Sequence, residues 1–177
     1  MSTLFARNAA AVRPRRTWHQ PLKLGLEIGD HEARMVVCRE RSAGWDVLRA
    51  GRLVYSEPFV EAPQATTALI AQWLRREGGA KPGCLVATLP SVLFEYESVP
   101  VSSEEVNSQQ AAKTAQQLMT ELLGEELEQA NYDYWVNQSN HSAKLHLAWS
   151  SRTVLVQVAE GLSQSGWRIA AFDLPVV

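Results

Sequence analysis

The sequence lacks a long hydrophobic run, so we expect no segment that spans a membrane. A spanning helix needs about 20 predominantly apolar residues, whereas the longest apolar run, Thr153 to Ala159, is interrupted by Gln157. The first 20 residues carry four arginines and no acidic residue, and they lack the apolar core of a signal peptide. We expect residues 1–21 to form a disordered basic arm, either fully solvated or drawn toward anionic lipid.

Cysteine and histidine are scarce as well. The four histidines are scattered through arm, turn, loop and strand, and no two of them lie four residues apart: His19, His31, His141 and His146. Cys38 and Cys84 show no CxxC or Cys/His ligand spacing, so the sequence predicts no metal site. Both cysteines fall in apolar strand-like runs, and we expect buried, reduced thiols of the kind found in the cytoplasm.

An excess of basic charge is also missing. The chain has 17 Lys and Arg against 19 Asp and Glu, and its isoelectric point is about 6.1. Nucleic-acid binding normally depends on a basic surface. We therefore expect no direct contact with DNA or RNA.

No catalytic constellation is evident. The sequence contains no Gly-x-Ser-x-Gly motif, and Leu89-Pro-Ser91 places proline where a nucleophile turn needs glycine. Glu125, Glu126 and Glu128 form an acidic cluster that we interpret as a solvated helix end, with metal binding or catalysis as the alternative. The sequence predicts no enzyme activity.

What the sequence does contain is strand-like alternation, beginning at Leu22 to Ile28 and breaking at Gly29-Asp30. Arg34 to Arg39 and Trp45 to Tyr55 predict two further strands that fold back as a hairpin and a meander. The Gly-Asp turn therefore lies at one end of a sheet.

A helix and a central strand follow. A glycine stop ends the predicted helix Gln64 to Glu77, whose apolar face comprises Leu69, Ile70, Trp73 and Leu74. Cys84 to Leu89 is a short continuous apolar run, which predicts a strand buried on both faces. Val92 to Val99 predicts another strand, ended by Pro100.

The second half predicts a long helix, two paired strands, a helix and a last strand. A capping box at Ser102-Ser-Glu-Glu105 precedes the long helix, whose apolar face is Val106, Ala111, Ala115, Leu118 and Leu122. Alternation predicts strands at Tyr132 to Asn137 and Lys144 to Trp149. Ser150 or Ser151 caps a helix to about Ser165, and Trp167 to Leu174 is the last strand. We expect the tryptophans of these elements to be core residues: Trp45, Trp73, Trp135, Trp149 and Trp167.

The turn after the first strand has a possible chemical role. Proteins with an actin-like ATPase fold open with a strand, an Asp-x-Gly turn and a strand; the turn binds a phosphate and the carboxylate serves the metal. This sequence has Glu27 at the Asp position and Asp30 after Gly29, so a second carboxylate faces the phosphate position and repels it. The alternatives are a degenerate phosphate turn formed by Glu27, Gly29 and Asp30, and an ordinary hairpin turn.

Taken in order, these elements resemble the first lobe of the PilM family of type IV pilus assembly proteins, including its HofM branch linked to DNA uptake. The resemblance covers Leu22 to Val177. The order and spacing of the following motifs carry it: Leu24-Gly-Leu-Glu-Ile-Gly29, Leu89-Pro-Ser91, Val99-Pro-Val101, Ser103-Glu-Glu105, Glu125-Glu126, Tyr132-Asp-Tyr134, Gly166-Trp-Arg168 and Asp173-Leu-Pro175.

The resemblance implies an α/β fold, an actin-like (ribonuclease H-like) lobe at 22–177 with a small inserted α+β subdomain at about 92–148. It also implies a cytoplasmic scaffold, peripheral to the inner membrane, that grips the short N-terminal tail of a PilN- or HofN-type membrane protein among other pilus platform proteins. Family members are two-lobed, with ATP and magnesium between the lobes. Because the sequence stops at Val177, we expect the second lobe, and with it any cofactor, to be absent.

A groove for such a tail needs apolar pockets and polar groups, and grooves form where two subdomains meet. Leu89 to Pro100 and the long helix form that junction. We expect Phe94 and Tyr96 to supply the pockets, unless they are ordinary core of the small subdomain. Three side chains of the long helix are expected to contact the tail: Gln110, Lys113 and Gln117.

Two other functions share the fold. The chain is half of an actin-like ATPase if a second glycine-rich turn follows it in a longer reading frame. It is the actin-like cytoplasmic piece of a type II secretion protein if a membrane span follows. The scaffold reading is favoured because no catalytic constellation is present.

Overall fold

The computed structural model describes residues 22–79, 83–102, 108–138 and 142–173. These residues form eight strands and three α-helices, in the following order: β1 (Lys23–Ile28), β2 (Glu32–Arg41), β3 (Gly44–Val54), α1 (Pro63–Glu77), β4 (Cys84–Thr88), β5 (Glu95–Val101), α2 (Ser108–Leu123), β6 (Ala130–Gln138), β7 (Ala143–Ser151), α3 (Arg152–Ser163) and β8 (Arg168–Asp173). The predicted basic arm, and residues 103–105 of the predicted capping box, lie outside the described residues.

The larger sheet has the strand order β3-β2-β1-β4-β8. β1, β2 and β3 form an antiparallel meander, while β4 and β8 run parallel to β1. Along β1 the exposed and buried residues alternate strictly, and Leu24, Leu26 and Ile28 are at most 2% exposed. The predicted opening strand and meander are therefore confirmed.

α1 and α3 cover the face of this sheet that carries Leu24, Leu26 and Ile28, which we call the inner face. Ile70 and Leu74 of α1 and Val158 and Leu162 of α3 share one core cluster with the inner face. α1 begins at Pro63, has Arg75 and Arg76 in its last turn, and is followed by Gly79 at a φ of 99°. The predicted glycine stop is confirmed, and the helix begins at Pro63, one residue before the predicted Gln64, because proline suits the first turn of a helix.

The opposite face, which we call the outer face, carries Gly25, Val36 and Val86 and is covered by no described helix. Val36 is 39% and Val86 is 40% exposed. The prediction that β4 is buried on both faces is therefore wrong, because both crossover helices lie on the inner face. Cys38 and Cys84 are free but half-buried rather than buried for the same reason, since their side chains lie on the outer face.

The smaller sheet has the order β5-β7-β6, with both pairs antiparallel. α2 packs on one face of it, where Ala115 and Met119 meet Leu145 and Leu147 in a second core cluster. Leu122, predicted on the apolar face of this helix, is 48% exposed. It lies in the last turn of α2. Leu123 in that turn and Leu127 just beyond it pack against the second core cluster instead.

The strand predicted at Val92 to Val99 begins and ends elsewhere. Ser91–Leu93 is a 3₁₀ turn, and β5 continues through Pro100 to Val101. Pro100 does not end the strand because β5 pairs with β7 alone among the described strands, and an edge strand tolerates a missing N–H on its open side.

Four further predictions of burial or capping need correction. Trp45 is 55%, Trp135 is 42% and Leu69 is 41% exposed, so these three side chains are not core residues. Ser151 occupies the N-cap position of α3, but its side chain makes no capping hydrogen bond. Periodicity placed these residues in the right elements, but it could not show which positions another element covers.

Candidate functional site

The carboxyl ends of the three parallel strands, β1, β4 and β8, lie side by side at one end of the larger sheet. Glu27, Thr88 and Asp173 are aligned there as direct neighbours across β1, β4 and β8. In open α/β sheets, ligands bind at the carboxyl ends of the strands. Of these three residues only Glu27 was a candidate from the sequence, because Thr88 and Asp173 come next to it only through strand register.

The predicted phosphate turn follows Glu27 and is closed by its own backbone. The Gly29 N–H donates to the Glu32 carbonyl at 2.8 Å, and the Phe59 N–H donates to the Asp30 carbonyl at 2.7 Å. The Tyr55 hydroxyl oxygen lies 2.6 Å from the Gly29 carbonyl and 3.0 Å from the Glu32 carbonyl. The Gly29 N–H that a phosphate would need therefore already has an acceptor.

Tyr55 is held in its neutral form at this turn. Burial, followed by the nearby carboxylates of Asp30 and Glu32, raises the pKa of Tyr55 to about 12. A neutral hydroxyl is the form that can donate to the turn carbonyls. Tyr55 thus connects the end of β3 to the β1–β2 turn by hydrogen bonding.

The carboxylates around the turn are paired with arginines of the meander. Glu27 Oε2 lies 3.6 Å from Arg34 Nη1, and Glu32 forms ion pairs with both Arg34 and Arg52. A hydrogen bond from Arg52 is the main reason that the pKa of Glu32 is lowered. Asp30 lies beside His31, with 3.8 Å between its Oδ2 and the His31 Nε2.

This arrangement has a poor donor set for a nucleotide. Glu27 is engaged by Arg34, the Gly29 N–H is engaged by Glu32, and Asp30 adds negative charge where a phosphate would sit. Among the described residues, no three His, Cys, Asp or Glu side chains are grouped so that they could hold a metal ion. The geometry is that of a hairpin turn whose polar groups are already satisfied.

The predicted partner site divides into two places. Phe94 is half-buried and packs against the larger core, while Tyr96 on β5 is 41% exposed, with the two ring centroids 6.5 Å apart. Burial raises the pKa of Tyr96. The alternative reading of both rings as core of the small subdomain does not fit, since Phe94 contacts the other core and Tyr96 faces outward.

The helix residues of the predicted site lie on the exposed surface of α2. Lys113, Gln117 and Glu121 line a shallow depression of about 410 Å³ there, together with Gln116 and Thr120. Gln117 Nε2 donates to Glu121 Oε1 at 3.0 Å. Gln110 lies one to two turns earlier on the same helix and is also exposed.

Strand alternation shows that Tyr96 and α2 lie on opposite sides of the smaller sheet. Val99 and Val101 of β5 pack against the core under α2, so Tyr96, three and five residues away, projects from the other face. The structure therefore does not bring Tyr96 together with Lys113 or Gln117. Their partner-binding roles remain predictions, now at two separate surfaces.

A further depression lies at the end of the larger sheet. It measures about 310 Å³ and lies between the end of β3 and α1, with these lining residues: Val54, Tyr55, Ser56, Glu57, Ala65, Thr66 and Leu69. The exposed Leu69 contributes to it. No sequence pattern predicts this depression, because its shape depends on how the consecutive elements β3 and α1 pack against each other.

Comparison with solved structures identifies the fold. A structure described as the PilM-PilN type IV pilus biogenesis complex matches with a TM-score of 0.66 at 15% identity, over 86% of this chain and 47% of that chain. The cytoplasmic domain of EpsL, an inner membrane component of the type II secretion system of Vibrio cholerae, matches with a TM-score of 0.53 at 13% identity, over 87% and 57%. A Bacteroides thetaiotaomicron protein with an actin-like ATPase fold and unknown function has a TM-score of 0.45 at 11% identity, over 87% and 52%.

The predicted α/β, actin-like fold class is thereby confirmed, and the chain spans about half the length of these structures. No protein-family model and no curated protein matches the sequence. None of the described helices is long and apolar enough to cross a membrane. At 13 to 15% identity the likeness shows a shared fold, so the function rests on the proposal that follows.

Proposed function

We propose that this chain is a non-catalytic scaffold of a type IV pilus or type II secretion platform. In this role it works on the cytoplasmic side of the inner membrane, as a peripheral component that binds the short N-terminal tail of a PilN- or HofN-like membrane protein. The observation that supports the proposal most is the fold likeness to the PilM-PilN complex, which extends over 86% of the chain. The satisfied turn at Gly29 supports the non-catalytic part.

The open edge of β5 is the best place for an extended tail. An edge strand offers unpaired backbone N–H and C=O groups, and a peptide can add to it as a further strand. Phe94 and Tyr96 stand at this edge, where the smaller sheet adjoins the larger core, and they offer aromatic surface beside the backbone. Main-chain pairing supplies affinity in this mode and the aromatic contacts supply specificity.

The chemistry of β5 defines the kind of tail it accepts. Pro100 lacks an N–H, so regular pairing is limited to the residues before it, Glu95 to Val99, which span about 17 Å. Glu95 and Glu97 are exposed and confer negative charge on this edge. We expect a tail segment of about five extended residues with an apolar side chain for the Phe94 and Tyr96 rings and a basic residue next to it.

The test is peptide binding measured by fluorescence anisotropy. Labelled N-terminal tails of the membrane proteins encoded beside this gene are titrated with the parent chain, with Tyr96→Ala and with Tyr132→Ala. Tyr132 is a matched control, because it is a tyrosine of the same sheet, 38% exposed, that lies on β6, the edge strand on the opposite side of the sheet from β5. Tyr96→Ala is expected to weaken binding about tenfold, since an exposed aromatic anchor contributes on the order of 1 to 2 kcal/mol.

Lys113→Glu tests the second surface. If tails bind the α2 depression, this charge reversal weakens binding and Tyr96→Ala does not. Thermal melting of each variant separates loss of binding from loss of fold. If no tail binds the parent chain at millimolar concentration, or if neither surface variant changes the affinity of a tail that does bind, the proposed recognition site is wrong.

A further inference from the structure

The two outer strands of the smaller sheet carry the same kind of hydrogen bond, from a backbone N–H to a carboxylate. On β5 the Ser98 N–H donates to Glu97 Oε1 at 3.2 Å, and on β6 the Tyr134 N–H donates to Asp133 Oδ1 at 2.8 Å. In both cases the acceptor belongs to the preceding residue. Since β5 and β6 lie on either side of β7, each outer strand has a carboxylate bound to one of its own backbone donors.

The strand register shows that both N–H groups point away from β7. Opposite residues of an antiparallel pair alternate between those that exchange hydrogen bonds and those that do not, so a residue directs its N–H and C=O to one neighbouring strand. Leu147 lies opposite Glu97 on β5 and opposite Tyr134 on β6. The carboxylate bonds fit one arrangement, in which Leu147 exchanges hydrogen bonds with Glu97. The N–H groups of Ser98 and Tyr134 then face the two edges that no other described strand covers, on the side where Pro100 lacks an N–H.

The Glu97 carboxylate therefore occupies a donor that an added strand needs. A peptide that extends the sheet beyond β5 pairs with the outward backbone groups of Glu95 to Val99, and the Ser98 N–H is one of them. An incoming carbonyl group meets the carboxylate there in place of a donor. Charged side chains on edge strands disfavour unspecific pairing with other strands.

We propose that Glu97 is a specificity-determining residue of the β5 edge, which admits tails that carry a basic residue opposite it. This inference rests on the proposed function and adds the reason for the choice of tail. A Lys or Arg of the tail pairs with the Glu97 carboxylate, which then leaves the Ser98 N–H to the incoming backbone. A neutral tail has no such cation and competes with the carboxylate for the donor. On β6, Asp133 covers the Tyr134 N–H and disfavours strand addition at that edge.

The first test compares basic tails with neutral ones. The probes are the labelled tails of the anisotropy assay and the same peptides with each Lys and Arg replaced by Gln. The parent chain should bind the basic form about fivefold more tightly, which is the upper range for an exposed ion pair. Glu97→Ala should reduce this ratio to about twofold, chiefly because the neutral form gains affinity when its competitor for the Ser98 N–H is removed.

Glu95→Ala is the matched control. Glu95 is exposed on β5 and lies on the same face as Glu97, because residues two apart in a strand share a face. Its removal takes away the same charge but leaves the Glu97 carboxylate on the Ser98 N–H. Glu95→Ala should therefore weaken the basic form slightly and leave the neutral form unchanged. A neutral form that binds Glu97→Ala no more tightly than it binds the parent or Glu95→Ala overturns the proposal, provided that thermal melting shows each variant to be folded.

The second test needs no tail. Amide hydrogen exchange is measured by NMR for the parent, Glu97→Ala and Asp133→Ala, and each rate is divided by that of an unstructured peptide of the same sequence. Glu97→Ala should speed the exchange of the Ser98 N–H about tenfold and leave the Tyr134 N–H unchanged, and Asp133→Ala should do the reverse. Equal Ser98 rates in the parent and in Glu97→Ala overturn the proposal.

The outcomes separate this inference from the proposed function. If no tail binds the parent chain, the proposed function fails, and the specificity role of Glu97 fails with it. If tails bind but their preference for a basic residue does not depend on Glu97, only this inference fails. If Asp133→Ala rather than Glu97→Ala tightens the neutral form, the tail adds to β6 and the role assigned to Glu97 is wrong.

Discussion

At the scale of single residues, the Tyr55 hydroxyl organises the β1–β2 turn, which the sequence allowed to be either a degenerate phosphate turn or an ordinary hairpin turn. Its oxygen lies 2.6 Å from the Gly29 carbonyl and 3.0 Å from that of Glu32, and the residue is 7% exposed. Tyr55→Phe keeps the ring and removes the hydroxyl that donates to the Gly29 carbonyl. We expect the free energy of unfolding to fall by about 1 to 2 kcal/mol in urea denaturation.

The same residue predicts a pH dependence. The folded-state pKa of Tyr55 is raised to about 12 from 10.0, so folding favours the protonated phenol. This contribution to stability is complete below pH 10 and is lost as the pH rises through the folded-state pKa. Between pH 10 and 12 the parent should lose more stability than Tyr55→Phe. Equal slopes, with Tyr132→Phe as the control for an exposed tyrosine, would show that the Tyr55 hydroxyl is not held in this way.

At the scale of elements, the contact between α1 and α3 depends on a glycine. A Cβ added at Gly161 lies 2.6 Å from Thr67 Cγ2 and 2.9 Å from Thr67 Cβ. Thr67 is fully buried, and its hydroxyl donates to the Pro63 carbonyl. The two helices can therefore approach at this point only because position 161 has no side chain.

Gly161→Ala should consequently destabilise the protein by about 1 to 3 kcal/mol through overpacking, although alanine is the better helix former. Thr67→Ser removes Cγ2, the nearest clashing atom, and keeps the hydroxyl. We expect Gly161→Ala/Thr67→Ser to be more stable than the sum of the single changes predicts, in a double-mutant cycle measured by urea denaturation. Strict additivity would mean that the helices shift apart to make room.

At the scale of the whole molecule, the two sheets differ in the kind of binding site that they offer. The larger sheet holds the aligned strand ends Glu27, Thr88 and Asp173, the end at which open α/β sheets bind ligands. Two contacts argue against tight nucleotide binding there: Glu27 forms an ion pair with Arg34, and the Gly29 N–H already donates to the Glu32 carbonyl. The smaller sheet carries the edge strand β5, where we propose that a tail peptide binds.

We predict that this chain does not bind ATP with submillimolar affinity and does not hydrolyse it. Calorimetric titration of ATP with magnesium should give no saturable heat, and phosphate release should equal that of a protein-free control. Saturable binding below millimolar concentration that is lost in Gly29→Val would show instead that the turn is a working phosphate site, and would favour the reading as half of an actin-like ATPase.

We also predict that residues 1–20 are dispensable for folding. Their sequence has no apolar period, so ordering them would cost about 1 to 2 kcal/mol per residue without burial to offset it. Deletion of this arm should leave the melting temperature nearly unchanged. A drop of several degrees would mean that the arm packs against the lobe.

The sequence by itself determined the local structure. Period-two apolar patterning specified β1 and the meander, because alternate residues of a strand face opposite sides whatever lies beyond them. The glycine stop specified the end of α1, because glycine adopts a backbone conformation there that ends a helix. The actin-like fold class came from a family resemblance, which the order of these elements carries together with the spacing of short motifs.

Only the tertiary structure decided which of these faces are covered and which residues share a site. Tyr96 and Lys113 were assigned to one groove from their nearness in sequence to a junction, but they lie on opposite sides of the smaller sheet. Val86, which the sequence predicted to be buried, is exposed because α1 and α3 both pack on the inner face and Val86 lies on the outer face. Coverage and register depend on contacts between residues far apart in the chain, and no short stretch of sequence encodes them.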